Sequence, residues 1–286
     1  MTRTRINPNK GDYLAPPCPD ISLAIVTHFT DDIYHRHREA VVDLCVETMR
    51  AGAAGHNYEL LIWDNGSIPS FRCHLLQKYH PDVLVLAPNI GKASARRALA
   101  EIARGEIFGY CDDDIYFYPG WLDKQLEYLH HFPRPVMVSG QPQRTAFNFA
   151  MGAVKRFAYS HKATIHEGKL ISEEDQRLFA LGLGRPWETY KRQTVSMNDY
   201  LLEWDGMKAW MHGHHCQFIT FREDIFPLME RSKLILDRER DWETKLDAAG
   251  YLRLTTFERS SFHVGNEIDG STAIVDGKLI PTKDYE

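Results

Sequence analysis

Four short apolar runs, at 21–26, 60–63, 83–86 and 107–110, punctuate the first third of the chain. Helical patterns separate them. Val41, Val42, Cys45 and Met49 recur on one face and stop at Gly52 and Gly55, and further helices are predicted over 71–79 and 92–104. Runs this short and this apolar are strands buried on both faces. Strands that alternate with helices need a crossover between neighbours, which gives a parallel sheet sandwiched by helices. The expected class is therefore α/β, with a Rossmann-like, mostly parallel sheet.

Each apolar run ends in a polar cluster: Thr27-His28, Asp64-Asn65-Gly66-Ser67, Asn89-Ile90-Gly91, and Asp112-Asp113-Asp114. Such sheets bind their ligands beyond the carboxyl ends of the strands, so four clusters at consecutive strand ends point to a nucleotide-type site. The last cluster is the most demanding. Three adjacent carboxylates after a buried strand repel one another and lose hydration, and a hard divalent cation such as Mg²⁺ or Mn²⁺ relieves both costs with carboxylate and phosphate oxygens as ligands.

Beyond residue 140 the rhythm weakens. Short strands and loops are expected over 141–215, with one weak helix near 172–180. A strand follows at 216–221, then a helix over 238–249 with Trp242, Leu246 and Ala249 on one face, ended by Gly250, and a strand at 251–255. This divides the chain into a polar, proline-rich arm (1–20), a nucleotide-binding half (21–140), a second half of the same domain (141–270) and a tail (271–286). Hydrophobic residues at 43% and charged residues at 26% fit a globular protein, and a net charge of −5 gives no strong nucleic-acid signal. No apolar run approaches the roughly 18 residues of a membrane span, and the start lacks a signal-peptide core. Five cysteines without a C-x-x-C pair fit a reducing compartment. A cytoplasmic location is expected, with room for peripheral docking at a membrane.

Trp63-Asp64-Asn65-Gly66-Ser67, then Asn89-Ile90-Gly91 with Ala95-Arg96-Arg97, then the acidic run, then a late helix ending in Ala249-Gly250-Tyr251, form an ordered set. The set resembles the glycosyltransferases of the GT-A fold, the large family-two group above all, over about residues 20–255. The resemblance implies transfer of a sugar from a nucleoside-diphosphate sugar to the hydroxyl of a glycan, lipid-linked or small-molecule acceptor, assisted by Mn²⁺ or Mg²⁺ and inverting in outcome. It implies Asp114 as the direct metal ligand, Asp113 facing the ribose or the same metal, and Asp112 near the donor sugar and the metal. Asp64 is matched to the carboxylate that binds the nucleobase, and Arg96 to a basic residue near base or diphosphate. Thr27, Asn65, Asn89 and Gly91 fall on the donor side, as does Lys92 at a helix start, where free N–H groups favour anions.

An inverting transfer needs a general base. The family's acidic pair before the late helix falls on Glu239, with Asp237 as rival, although this chain has Arg238 where an acid is usual. His263 resembles a late histidine that completes the metal site. His212, His214 and Cys216 are expected on one strand face, within an aromatic and imidazole-rich stretch from Trp204 that suits a sugar pocket. A retaining transferase, a sugar-phosphate nucleotidyltransferase and a degenerate sugar-nucleotide-binding module are the alternatives. Thr27-His28-Phe29-Thr30 lacks the Gly-rich basic loop that the nucleotidyltransferases carry after their first strand.

Overall fold

The computed structural model describes residues 17–35, 37–225, 239–265, 272–275 and 278–281. Most of the proline-rich arm and Asp237 lie outside them. The first half follows the predicted order closely: β1 (Ile21–Thr27), α1 (Arg38–Gly52), β2 (Tyr58–Asn65), α2 (Pro69–Tyr79), β3 (Val83–Ala87), α3 (Lys92–Ile102) and β4 (Ile107–Asp112). Next come β5 (Ile115–Phe117), α4 (Trp121–His131), β6 (Pro135–Ser139), α5 (Gly152–Ser160), β7 (Thr164–Gly168), α6 (Glu173–Gly182) and α7 (Trp187–Thr194). The chain continues through β8 (Asp199–Trp204), β9 (Met207–Trp210), β10 (Gln217–Phe221), the short α8 (Arg222–Ile225), α9 (Glu239–Ala248), β11 (Leu252–Thr256) and β12 (Ser261–His263). In the segment expected as a tail, β13 (Thr272–Val275) and β14 (Lys278–Pro281) pair as a hairpin.

Ten strands form one sheet in the order β3-β2-β1-β4-β10-β6-β11-β9-β8-β7. The pairs β3–β2, β2–β1, β1–β4 and β6–β11 are parallel, while β10 runs against both its neighbours. β1 is buried along its whole length, and its side chains serve two cores in turn. Leu23 and Ile25 join Val42, Cys45 and Met49 of α1 on one face, while Ala24 and Val26 join Ala95 and Leu99 of α3 on the other. Because α1 and α3 cover opposite faces, the chain reverses direction across the sheet between β1 and β4. A crevice opens at such a switch point beyond the strand ends.

The second half departs from expectation in three places. Helices α5 and α7 occupy stretches expected as loop. Neither has a side-chain cap, whereas Ser172 caps α6, the one helix predicted there, by accepting from Asp175 N at 3.0 Å. His212, His214 and Cys216 do not share a strand, since the chain turns between β9 and β10 there. On α9, Ala249 is exposed beyond the helix end, while Glu243 and Leu246 are buried.

Candidate active site

Strand register lines up the expected donor residues. Thr27 lies opposite Asp64, and Val26 opposite Asp112, so the ends of β2, β1 and β4 form one edge. Asn65 then ties β2 to the loop before α3: its Oδ1 accepts from Ile90 N at 2.9 Å and its Nδ2 donates to Asn89 Oδ1 at 3.0 Å. Asn89 Oδ1 also accepts from Gly91 N at 2.9 Å at the start of α3. Gly66 makes this approach possible, since a Cβ there would stand 2.9 Å from Asn89 N at a φ of +93°. Asp64 is wholly buried and its oxygens are engaged, by Ser67 N at 3.1 Å and by Arg72 Nε at 2.7 Å. Arg72 was missed in the sequence. It stands eight residues from Asp64, across the turn and one turn of α2.

The acidic run divides its labour. Asp112 accepts from Tyr110 OH at 2.7 Å and from Lys92 Nζ at 3.2 Å. Asp113 is ion-paired to Arg38 of α1, whose Nη1 also lies 3.8 Å from Asp114 Oδ2. Arg38 was missed because it arrives from the start of a distant helix. His263 Nε2 stands 3.3 Å from Asp114 Oδ2. A two-stranded sheet puts it there: β12 pairs antiparallel with β5, with His263 opposite Ile115, and Val264 N donates to Asp114 O at 2.8 Å. Helix α6 buttresses this strand at Gly182, where any Cβ would collide with the His263 carbonyl oxygen.

Electrostatics follow from this geometry. Burial, reinforced by Asp114 and Asp112, outweighs Arg38 and raises the Asp113 carboxyl to about 7. Burial also disfavours the Asp114 charge, but His263, Arg38 and Lys92 outweigh it and hold that carboxyl at about 2. Asp114 in turn raises His263 against the effect of its burial. Asp113 Oδ2, Asp114 Oδ1, His263 Nδ1 and Thr27 Oγ1 are buried without a hydrogen-bond partner among the described residues. Two orphaned carboxylate oxygens are costly in protein and suit a cation. No ready-made cluster of three or more His, Cys, Asp or Glu ligands exists among the described residues. The arrangement fits a hard cation held on one side by Asp114 and His263 that draws its remaining oxygens from a substrate and water.

Arg96 is buried, its guanidinium 4.5 Å from the Trp242 ring and 5.2 Å from that of Tyr110. Glu239 is the first residue of α9, and its side chain lies outside the described set.

Next to the acidic edge opens a cleft of about 420 Å³, lined among others by Gln143, Asn148, Phe149, Phe179, His214, His215, Glu243 and His263. The imidazole-rich stretch thus contributes His214, His215 and Cys216, whereas Trp204 and Trp210 pack against Phe132, Phe157 and Phe257. His212 is fully buried behind the wall, and its Nε2 accepts from Gln143 N at 3.2 Å. Burial, and secondarily Arg253, lowers its pKa to about 3. The unfolded chain protonates His212 near 6.5 and the fold does not, so stability is lost as pH falls from about 6.5 towards 3. His212→Gln is expected to remove about 2 kcal/mol of the stability change between pH 7 and pH 5, measured by urea unfolding at both values. An unchanged difference would mean that His212 is protonated in the fold.

No helix among the described residues is long and apolar enough to cross a membrane. No curated protein matches the chain in sequence. Among solved structures, the mannosyltransferase PcManGT from Pyrobaculum calidifontis, in complex with GDP-Man and Mn²⁺, aligns with 15% identity and a TM-score of 0.45. The alignment covers 84% of this chain and 55% of that one, so the chain spans about half the length of that protein. The family model described as "Glycosyl transferase family 2" matches residues 33–188, more than half of the 286. That region holds Asp64, Asn89, Lys92 and the acidic run, but not Glu239 or His263. The chain belongs to glycosyl transferase family 2, and its helix-covered mixed sheet, parallel over β3-β2-β1-β4, is the GT-A fold that the sequence motifs imply.

Proposed function

We propose that this protein transfers a sugar from a nucleoside-diphosphate sugar to an acceptor hydroxyl, with inversion at the anomeric carbon and with Mn²⁺ or Mg²⁺ as cofactor. The observation that carries the reading is the Asp114–His263 pair at the end of the acidic strand, with orphaned carboxylate oxygens beside it at the switch point of the sheet. Asp114 and His263 would hold the cation, which when bound would supply Lewis-acid stabilisation to the departing diphosphate. Lys92 places a positive charge beside Asp112, where the donor's phosphate and sugar are expected. The Asn65–Asn89–Gly91 clasp fixes the backbone under the nucleoside, and Thr27 offers a buried hydroxyl at the same edge. Arg96 is proposed to support the base-side wall through Trp242 and Tyr110. Asp113 is proposed to face the ribose through its free oxygen.

Purified protein incubated with a panel of purine and pyrimidine nucleoside-diphosphate sugars, with and without Mn²⁺ or Mg²⁺, tests this reading. Release of the diphosphate from at least one donor is expected only with metal. Asp64 is proposed to bind the nucleobase. Asp64→Ala is expected to weaken nucleotide binding by about 1–3 kcal/mol, with or without metal, because it removes an acceptor from a buried donor. An unchanged dissociation constant would leave Asp64 as the anchor of Arg72 and the turn alone. On the sequence resemblance the acceptor's proton goes to Glu239, with Asp237 as the rival.

A further inference from the structure

The cleft beside the acidic edge is built by the second half of the chain. Its lining runs from Gln143 to His263, and Thr27, Asp64, Asn89, Lys92 and Asp112 are not part of it. On the reading that the first half binds a nucleoside-diphosphate sugar, this space of about 420 Å³ belongs to the acceptor, and its size suits a small ligand. Among the described residues, the formally charged groups of this lining are balanced but for one. Glu243 is buried and paired with Arg253 and, at 2.7 Å, with His215 Nδ1. His263 stands beside Asp114. Arg185 has no carboxylate within ion-pair distance among the described residues, and its contact is a long hydrogen bond from Nη1 to Gln193 Oε1 at 3.4 Å.

The backbone fixes where this arginine stands. Beyond the end of α6, Gly184 takes a φ of +62° and its N–H donates to Leu181 O at 2.8 Å, while Arg185 N–H donates to Ala180 O at 2.9 Å. This is a helix C-terminus closed by a glycine in the left-handed region. Pro186 follows with a φ of −56° and caps α7, on which Gln193 lies two turns further. Arg185 therefore leaves a constrained corner between two helices, and Gln193 steadies its guanidinium. One long hydrogen bond leaves most of the five N–H donors to solvent or to a ligand. The same cleft presents the amides of Gln143 and Asn148 and the rings of Phe149 and Phe179, which answer hydroxyls and C–H faces.

We infer that the acceptor is an anionic sugar whose carboxylate or phosphate is bound by Arg185. A guanidinium meets either anion in a planar, two-pronged pair, which selects for charge and for direction together. The chain as a whole carries a net charge of −5, so it offers an anion no general attraction, and a positive group placed inside the cleft is what would draw one there. Arg185 is then a specificity-determining residue that holds the acceptor away from its reacting hydroxyl. Removal of the hydroxyl proton stays with the carboxylate at the start of α9.

The experiment compares wild type, Arg185→Met and Arg185→Lys for nucleoside-diphosphate binding and for transfer to matched methyl hexosides. Each set holds the neutral hexoside, its uronide and its 6-phosphate, in the gluco, galacto and manno series. Wild type is expected to favour a charged member over its neutral partner by at least about tenfold in kcat/KM, and the better of uronide and phosphate identifies the anion. Arg185→Met is expected to lose about 10–100-fold on that member, chiefly through KM, while the neutral hexoside and the nucleotide Kd stay within about threefold. Arg185→Lys keeps the charge without the fork and is expected to fall between the two. The side chain is exposed and makes one hydrogen bond, so both variants are expected to fold. Equal rates on charged and neutral members in wild type, an unchanged preference in Arg185→Met, or transfer to none of them by a protein that binds nucleotide overturns the inference. A weakened nucleotide Kd in Arg185→Met moves the arginine to the donor's diphosphate and also overturns it. A wild-type protein that binds no nucleotide overturns the transferase reading instead.

Discussion

Asp114→Asn is expected to fold normally and to lose metal-dependent transfer by about 10²-fold or more. Three observations set the size of the effect. The carboxyl is held at about 2 by His263, Arg38 and Lys92, so it is charged at any pH at which the enzyme would work. One of its oxygens is buried without a partner among the described residues, and a site that leaves a carboxylate oxygen bare is poised for a cation. An amide keeps the shape but is a much poorer ligand for a hard dication, and removal of a single group that stabilises developing charge typically costs 10²–10³-fold. The fold is spared because Asp114 O, which accepts from Val264 N, is a backbone atom. Activity within threefold of wild type, a change of less than about 0.7 kcal/mol in barrier, would contradict the metal assignment.

Arg38→Met is expected to destabilise the protein, with the deficit approaching about 3–5 kcal/mol above pH 7, where Asp113 is charged, the usual cost of stripping one partner from a buried ion pair. Arg38 is buried with Asp113 and reaches Asp114, so its loss leaves Asp113 without its ion-pair partner and Asp114 with His263 and Lys92 beside it. The Asp113 carboxyl already stands at about 7, above its unfolded value of 3.8, and without Arg38 it rises further. A raised carboxyl binds protons in the fold, so the variant's stability falls as pH rises through the folded value. Its deficit should be greatest above pH 7 and shrink towards pH 5. Mn²⁺ should raise the variant's melting temperature more than that of wild type, because the ion restores positive charge beside the same carboxylates. Equal shifts in both proteins would separate Arg38 from the metal site.

The first half of the fold was legible because each strand is a short apolar run closed by a polar cluster and each helix keeps its face at 3.6-residue spacing. β1 shows this well, since every residue from Ile21 to Thr27 is buried. The second half hid two helices. α5 buries Ala153, Val154, Phe157 and Ala158, and α7 buries Trp187, Tyr190 and Thr194, but both are short and without side-chain caps. The acidic run announced itself as a local cluster, whereas its partners are properties of the folded chain. Arg38 stands 75 residues from Asp113 and His263 far beyond Asp114, and only α1 and the β5–β12 pairing bring them in. Glu243 is hidden for another reason. As an acid on a charged helix it resembles a solvated face, and burial shows only when Arg253 and His215 close over it.

The most direct test is calorimetric titration of the protein with nucleoside diphosphates, in the presence and absence of Mn²⁺. The transferase reading predicts saturable binding of at least one nucleoside diphosphate, tightened by about tenfold or more by Mn²⁺ in wild type but not in Asp114→Asn. Failure of every nucleoside diphosphate to bind, with metal or without, would contradict it.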